Sequence, residues 1–330
     1  MNRTAHNLPP RPLVSVVTPV FNEAAVLPEL IERLGNVAAS LEADYRFEFV
    51  LVDDGSRDGS LDVARGLAAD DARLRVIELR RNYGQTAALQ AGLDRAAGEI
   101  LISMDADLQH RPEDIPRFLA AIRDGADVVC GWRYDRQDSA MRRWPSSAAN
   151  FLIRKVSGLT IHDIGTTYRA YTAGVARDFQ LLGEGHRFVP VFAARAGARI
   201  SELKIENPAR AAGVSSYGLS RTLNVFVDLF FVAFYANYLD RPIRFFGRAA
   251  LVTFGLALLI TAGLVYEFLS TGAPVVRESV GWYLLALVLY VSSSQFIFFG
   301  IVCELLVRIY FQHDRHAAYH IRQELSKQAD

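Results

Sequence analysis

The first two-thirds of the chain alternates short apolar runs with segments whose apolar residues recur at helical spacing. The apolar runs end at polar or glycine- and proline-containing turns, which is typical of strands, and the spacing between them predicts helices. Because each predicted strand is an almost continuous apolar run, we expect a parallel sheet with helices on both faces. The predicted strands are Leu13–Val17, Phe49–Val52, Val76–Leu79, Ile100–Met104 and Asp127–Cys130, and the predicted helices are Ala24–Leu41, Ser60–Ala69, Thr86–Ala97 and Asp114–Arg123.

The last third of the chain lacks this alternation. Residues Ala249–Tyr266 and Ser279–Cys303 carry no charged side chain, and both stretches reach the roughly 20 residues that cross a bilayer core. A hairpin buried in a soluble core is the alternative, which two such lengths in succession disfavour. Arginines flank the pair on both outer sides, and this bias predicts that both flanks and the preceding domain are cytoplasmic. They are Arg241, Arg244 and Arg248 before the first stretch, and Arg308, Arg315 and Arg322 after the second.

Between these parts, Leu219–Leu239 mixes aromatic residues with Arg221 and Asp228. We interpret it as an interfacial helix that lies on the lipid headgroups. A third spanning helix is the alternative, and it would place Asp228 in hydrocarbon and change the topology. The predicted organisation is a tail over 1–12, a globular domain over 13–217, interfacial helices over 218–245, a transmembrane hairpin over 246–304 and a cytoplasmic tail over 305–330.

Composition excludes several classes of protein. The 36 basic and 36 acidic residues cancel, so the chain has no overall attraction for nucleic acid. Its two cysteines, Cys130 and Cys303, lie far apart, which argues against a disulfide scaffold or a zinc site. Residues 1–12 contain no apolar stretch of the kind that a secretory signal needs. No Gly-x-Gly-x-x-Gly follows the first predicted strand, so a dehydrogenase is disfavoured.

Polar turns follow three of the predicted strands, at Pro19–Glu23, Asp53–Ser56 and Asp105–Gln109. Ligands of such sheets bind at the carboxyl ends of the strands, so we expect the three turns to meet at one edge. Asp105 and Asp107 are separated by one residue, and Mg²⁺ or Mn²⁺ binds such carboxylates together with phosphate oxygens of a substrate. For this short pattern alone, a strand-end turn with two solvated acids is the alternative.

Together, the turns and the two apolar stretches resemble the polyprenyl-phosphate glycosyltransferases of family 2, which have a GT-A fold. This group includes dolichol-phosphate mannosyltransferases and undecaprenyl-phosphate aminoarabinose-type transferases. The similarity extends from Val14 to about Arg308, and the runs Arg81–Gln85 and Arg136–Ser139 most resemble the aminoarabinose branch. The resemblance implies an α/β GT-A domain with a mostly parallel sheet, followed by interfacial helices and two transmembrane helices. It also implies an inner-membrane enzyme with a cytoplasmic catalytic domain and, by analogy, a possible homotetramer.

The resemblance further implies a site for a nucleotide diphospho-sugar and a divalent cation, Mg²⁺ or Mn²⁺. The first turn would bind the nucleoside and Asp53 the edge of the base, although Asp53 alone could equally be an acid stabilised by a helix dipole. Gln109 could equally be a surface turn residue. The implied donor-binding residues are Pro19, Phe21, Glu23, Asp53, Asp105 and Arg210, and the implied metal ligands are Asp105, Asp107 and Gln109.

The acceptor implied by the resemblance is a polyprenyl phosphate. Its second pKa lies near 6, so much of it is already a dianionic nucleophile at neutral pH and no general base is needed. Arginine suits the acceptor site because its planar fork binds phosphate bidentately. The Arg142–Arg143 pair could also contact anionic headgroups. The implied catalytic residues are Arg133, Arg143 and Ser147 around the phosphate, Asp163 toward acceptor or sugar hydroxyls, and Asp107 at the metal.

One position departs from the family pattern. Relatives continue Gly-x-Ser-Lys-Tyr where this chain has Gly213–Tyr217, so Ser216 replaces a lysine that would reach phosphate. Arg210 or Arg221 would have to compensate. The implied reaction is an inverting transfer of one sugar to the lipid phosphate. The alternatives are another lipid acceptor, such as diacylglycerol or ceramide, and an inactive nucleotide-sugar-binding protein. Processive synthesis is disfavoured because Ala140 stands where a glutamine should precede Trp144.

Overall fold

The computed structural model describes residue 6 and residues 8–134, 161–178, 180–181, 185–206, 234–235, 237–239, 241–272 and 280–311. These residues fall into two compact units, one within Met1–Ala233 and the other within Phe234–Tyr319. The first unit is built on a seven-stranded mixed sheet, and the second on two long helices. The predicted fold class, an α/β domain followed by two apolar helices, is confirmed.

The sheet of the first unit has the strand order β3-β2-β1-β4-β6-β5-β7. All neighbours pair in parallel except β6, which runs antiparallel to both β4 and β5. The strands are β1 Leu13–Val20, β2 Arg46–Asp53, β3 Leu74–Glu78, β4 Ile100–Ser103, β5 Val128–Arg133, β6 Arg169–Thr172 and β7 Ile200–Ile205. The helices are α1 Leu27–Ser40, α2 Ser60–Asp70, α3 Gln85–Leu93, α4 Ile115–Arg123, α5 Ala173–Arg177 and α6 Val189–Arg195, with 3₁₀ turns at Pro112–Asp114 and Gly185–Arg187.

Both faces of the sheet are covered. Val14, Val16 and Val20 of β1 pack with α1 and α4 in the main hydrophobic core. On the opposite face, α3 lies so close that a side chain at Gly92 would come 2.3 Å from Val17 Cγ1. The continuous apolar character of the inner strands therefore follows from burial on two sides.

Two helix boundaries differ from the predicted ones by more than one residue, for local reasons. Helix α1 begins at Leu27 rather than Ala24, and a proline lies in its first turn, where its missing N–H costs nothing. Helix α3 ends at Leu93 rather than Ala97. The amide of Ala97 instead donates to Glu48 Oε1 at 2.6 Å, so this amide is used by a side chain rather than by the helix.

Strand register brings the predicted turns to one edge of the sheet. Val20 at the end of β1 is level with Asp53 at the end of β2. Ser103 at the end of β4 is level with Val17, and the next amide, that of Met104, donates to the Val17 carbonyl. The three polar turns therefore leave the sheet side by side.

The second unit contains α7 Pro242–Thr271 and α8 Val280–Phe311, both long and apolar enough to cross a membrane by length and composition. Most of their large apolar side chains are exposed. The helices pack on each other, and Ser293 Oγ donates to the Ala250 carbonyl at 2.9 Å. Most of the predicted interfacial segment 218–245 lies outside the described residues, and the predicted domain boundaries stay predictions.

Candidate active site

The turn after β4 is compact and buried. Ala106, Asp107 and Leu108 are all less than one-tenth exposed. Leu108 adopts a left-handed backbone conformation with φ of 60°, which is uncommon for a non-glycine residue. The turn is held from within, because Asp107 Oδ1 accepts a hydrogen bond from the Gln109 amide at 3.1 Å. This geometry places both Asp105 and Asp107 at the carboxyl edge of the sheet.

A buried histidine supports the same turn. His110 Nδ1 accepts a hydrogen bond from the Asp105 amide at 3.1 Å, so the neutral ring carries its proton on Nε2. Burial lowers the pKa of His110, although the charges of Asp105 and Asp107 act in the opposite direction. Its ring stacks on Tyr168 with centroids 5.0 Å apart. His110 is therefore a neutral side chain that is held in place and supports the backbone of the acidic turn.

The Asp105 carboxylate has a partner on each oxygen. Gln85 Nε2, at the start of α3, donates to Oδ1 at 2.7 Å. Thr167 Oγ1, just before β6, donates to Oδ2 at 2.6 Å. The side chain of Asp105 is still 30% exposed, so one side of the carboxylate faces the rim.

The first and second turns are bound to each other by side chains. The Asn22 amide donates to Ser56 Oγ at 3.0 Å, and the Arg57 amide donates to Asn22 Oδ1 at 2.8 Å. The Glu23 amide donates to Ser60 Oγ at 2.8 Å. Between these contacts the Phe21 side chain remains 44% exposed, so its ring is available to a ligand.

Asp53 is almost fully buried, and only one of its two carboxylate oxygens accepts hydrogen bonds from the described residues. Its Oδ2 accepts hydrogen bonds from the amides of Gly55 at 3.1 Å and Ser56 at 3.2 Å. Its Oδ1 is buried and has no hydrogen-bond partner among the described residues. A buried acceptor without a partner is costly, so Asp53 Oδ1 is suited to accept a hydrogen bond from a bound donor such as the N–H of a nucleobase.

At the end of β5, Arg133 and Asp163 form a two-point ion pair. Arg133 Nε lies 2.7 Å from Asp163 Oδ2, and Nη2 lies 3.0 Å from Oδ1. Glu202 of β7 fixes the turn that carries the aspartate, because its Oε1 accepts from the Asp163 amide at 3.0 Å and from the His162 amide at 2.9 Å. Arg169 is fully buried and donates to the Ile164 carbonyl at 2.7 Å.

The structure brings Pro19, Phe21, Glu23, Asp53, Asp105, Asp107 and Gln109 to one edge, and it pairs Arg133 with Asp163. The predicted residues Arg143, Ser147 and Arg210, as well as Ser216, lie outside the described residues. Several residues of the site were not predicted, namely Asp54, Gln85, His110, Thr167 and Glu202. Asp54 belongs to the predicted turn Asp53–Ser56 and Gln85 to the run Arg81–Gln85. No sequence motif marks Thr167 or Glu202.

The acidic turn fits a metal that a substrate helps to bind. Within the part of the chain that the structure describes, no three His, Cys, Asp or Glu side chains form a closed metal-binding group. Mg²⁺ and Mn²⁺ do not require one, since they bind one or two carboxylates and complete their shell with water and substrate phosphates. The oxygen-only donor set of Asp105, Asp107 and Gln109 suits such an ion.

Comparison with known proteins agrees with this geometry. Residues 15–179 match the family model described as Glycosyl transferase family 2. The chain belongs to this family. Dodecaprenyl-phosphate galacturonate synthase of Rhizobium johnstonii is 39% identical over 321 residues, which are 96% of this chain and 94% of that protein. Undecaprenyl-phosphate 4-deoxy-4-formamido-L-arabinose transferase of Pseudomonas aeruginosa is 38% identical over 305 residues, 91% of this chain and 87% of that protein.

Solved structures show the same fold. Glucosyl-3-phosphoglycerate synthase from Mycobacterium tuberculosis, crystallised with Mn²⁺, UDP and phosphoglyceric acid, matches with a TM-score of 0.51 and 17% identity. The match covers 67% of this chain and 78% of that one. This family 2 member is therefore a glycosyltransferase, as the sequence predicted, and the solved structure shares its fold.

Proposed function

We propose that this glycosyltransferase moves one sugar, with inversion, from a nucleotide diphospho-sugar to a polyprenyl phosphate of the undecaprenyl type. The reaction would take place at the cytoplasmic face of the inner membrane. The observation that carries the proposal is the meeting of three polar turns at one sheet edge in a chain that also has two membrane-length apolar helices. Two relatives that align over nine-tenths of this chain are named for transfer to dodecaprenyl and undecaprenyl phosphates.

The first two turns would bind the nucleoside. The exposed ring of Phe21 offers a surface for a base. Asp53 Oδ1 would accept an N–H from the edge of the base and so satisfy a buried oxygen. Pro19, near the end of β1, and Glu23, in the turn after it, would complete this site, and the Glu23 amide is held by Ser60.

Asp105, Asp107 and Gln109 would hold Mg²⁺ or Mn²⁺ against the diphosphate. When bound, the cation stabilises the negative charge that the leaving nucleoside diphosphate gains. Arg210 would add positive charge to the same group. His110 holds the backbone of this turn through its hydrogen bond with the Asp105 amide.

Arg133, Arg143 and Ser147 would bind the acceptor phosphate. The dianionic phosphate is itself the nucleophile, so the protein needs to position it in line with the anomeric carbon rather than deprotonate it. Asp163 holds the Nε and Nη2 edge of Arg133, which would fix the direction of the guanidinium. The isoprenoid tail would stay in the bilayer beside the two apolar helices. Assembly into a homotetramer stays a prediction.

The direct test uses the full chain in lipid nanodiscs with undecaprenyl phosphate, a panel of labelled nucleotide diphospho-sugars that covers several nucleotides, and either Mg²⁺ or Mn²⁺. We expect label in one mild-acid-labile lipid product with at least one donor, with inverted anomeric configuration, and none in the presence of EDTA. Diacylglycerol serves as the competing acceptor. Transfer only to diacylglycerol, or no transfer from any donor by folded protein, would overturn the proposal.

A further inference from the structure

The run Arg81–Gln85 follows β3 and leads into α3, and the function described so far gives it no task. Two contacts fix this run against the second polar turn. The carboxylate of Asp54 accepts hydrogen bonds from the amides of Tyr83 at 2.7 Å and Gly84 at 2.8 Å. Asp54 is only 3% exposed, so these bonds are shielded from water. The position of Gln85, the next residue, is therefore set by the turn that carries Asp53.

Gln85 uses this position to reach the third polar turn. Its side-chain amide donates to Asp105 Oδ1 at 2.7 Å. The residue stands at the first position of α3, after Gly84 with φ of 94°. A glutamine amide is a neutral donor, so it orients the carboxylate without neutralising the charge that a cation needs.

Thr167 holds the other oxygen of the same carboxylate. Its hydroxyl donates to Asp105 Oδ2 at 2.6 Å, and the residue is 8% exposed. Thr167 is itself fixed, because its carbonyl accepts a hydrogen bond from Ser103 Oγ at 2.6 Å. Ser103 is the last residue of β4, two positions before Asp105. The strand that leads to Asp105 therefore also holds the threonine that contacts its carboxylate.

Together these contacts leave the Asp105 carboxylate able to bind a metal ion. An ionised carboxylate has about four lone-pair directions, so one hydrogen bond on each oxygen leaves a second direction on each. Carboxylates that bind metals are commonly held by such outer hydrogen bonds, and losing them typically lowers metal affinity by about 10- to 100-fold.

We propose that Gln85 and Thr167 are positioning residues that fix Asp105 for a divalent cation, with Gln85 placed by the turn that contains Asp53 and Asp54. The inference rests on the proposed function, in that it assumes a cation at Asp105. It assigns the Arg81–Gln85 run a task in that site. Neither residue is a metal ligand or touches the reacting atoms in this scheme.

The test measures Mn²⁺ binding to the full chain in detergent, from the EPR signal of free Mn²⁺, with and without UDP. Gln85→Met removes the amide donor at similar length, and Thr167→Val removes the hydroxyl at similar volume. We expect each to weaken Mn²⁺ binding by about tenfold. Thr167→Ser keeps the hydroxyl and should bind Mn²⁺ like the wild type.

A matched control lies on the same helix. Gln90 Nε2 donates to Asp94 Oδ1 at 2.8 Å, a similar glutamine–aspartate contact in which Asp94 is not part of the acidic turn. Gln90→Met should leave Mn²⁺ affinity unchanged. Melting temperatures of all variants show whether each is folded, and if Gln85→Met is not, the threonine pair decides alone.

Mn²⁺ affinity equal to wild type in folded Gln85→Met and Thr167→Val protein would overturn the inference. It would also be overturned if Gln85→Met weakened UDP binding without Mn²⁺ but left Mn²⁺ affinity intact, since Gln85 would then contact the donor. If wild-type protein transferred sugar in excess EDTA, the inference would fail and glycosyl transfer would stand. If the variants lost Mn²⁺ affinity but no donor supported transfer, the proposed function would fail and the inference would stand.

Discussion

Arg133 and Asp163 face each other with both nitrogens of one guanidinium edge on both oxygens of one carboxylate, at 2.7 and 3.0 Å. Their side chains are only 18% and 6% exposed. A pair this well buried has given up most of its hydration, and removing one partner takes a two-point ion pair from a charge that water reaches poorly. The pair is therefore sensitive to single substitutions in a way that surface ion pairs are not.

This geometry predicts a non-additive mutational cycle. Arg133→Met and Asp163→Leu should each lower the free energy of unfolding by about 3 kcal/mol, because each removes the two-point partner of a poorly hydrated charge. The double variant should recover a large part of that loss. Sugar transfer should stay low in all three, since Arg133 is absent or misdirected. Melting temperatures and transfer assays measure the two effects separately.

A double variant whose melting temperature falls by the sum of the two single shifts would contradict this coupling. Arg65→Met provides a comparison on the surface, because Arg65 pairs with Glu78 at 2.7 Å while both side chains are more than half exposed. An exposed pair of this kind contributes about 0–1 kcal/mol. Its loss should therefore shift the melting temperature much less than the loss of either buried partner.

The sheet edge that carries the three polar turns could be predicted from the sequence, but strands β6 and β7 could not. Apolar runs locate β1, β2 and β4, and parallel strands place their terminal turns side by side. Strand β6 was missed because it has only four residues and begins with Arg169. Strand β7 was missed because it lies at the edge of the sheet and alternates with polar residues, which makes it resemble an ordinary surface segment.

The hydrogen-bond partners of Asp105 could not be predicted from the sequence either. Gln85 is 20 positions before Asp105, and Thr167 is 62 positions after it. Their contact depends on how α3 and β6 meet the end of β4, which no local pattern encodes. Arg143, Ser147 and Arg210 stay predictions that rest on the family resemblance.

Acid should weaken one contact far from the proposed site. Burial disfavours the charge of Asp127, but hydrogen bonds from the Arg199 side chain and amide outweigh it, so the pKa of Asp127 lies below its ordinary value. A lowered pKa contributes stability above the unfolded value, near 3.9, and that contribution is lost as pH falls through the folded value. The melting-temperature advantage of wild type over Asp127→Asn should therefore shrink below about pH 4.

The exposed residue Asp62 supplies the control for this pH dependence. Its side chain is 86% exposed and its nearest arginine contact is 3.9 Å. Asp62→Asn should change the melting temperature less than Asp127→Asn does at about pH 6, because so exposed a contact contributes little. If the difference between wild type and Asp127→Asn stayed constant from pH 6 to about pH 3, the Arg199 contact would not stabilise the ionised carboxylate.

Gly55 is the position in the second turn where a side chain should do most harm. Its φ is +71°, and an added Cβ would lie 2.7 Å from backbone atoms of Arg81 and Asn82. Gly59 has φ of +91° but open space around it. Gly59→Ala should cost about 1 kcal/mol of backbone strain. Gly55→Ala should cost clearly more and should also weaken Mn²⁺ binding, because it pushes on the run that carries Gln85. Equal melting temperatures for the two variants would show that the backbone at Arg81 and Asn82 moves away from the new Cβ at little energetic cost.

Asp53→Asn separates the two oxygens of one carboxylate. The asparagine carbonyl oxygen can take the place of aspartate Oδ2 and accept the amides of Gly55 and Ser56, so the turn should keep its shape and the melting temperature should change little. The buried Oδ1 position, however, would become an N–H₂ group and present a donor where the proposed base edge needs an acceptor. UDP affinity should therefore fall about 10- to 100-fold, the equivalent of one misplaced buried hydrogen bond of roughly 1.4–2.8 kcal/mol. Calorimetric titration with UDP measures the loss.

Asp58→Asn is the control, because Asp58 is a neighbouring acid that contacts the Ala24 amide and Ser60. It should leave UDP affinity unchanged. Unchanged UDP affinity in Asp53→Asn would place the base elsewhere on the rim.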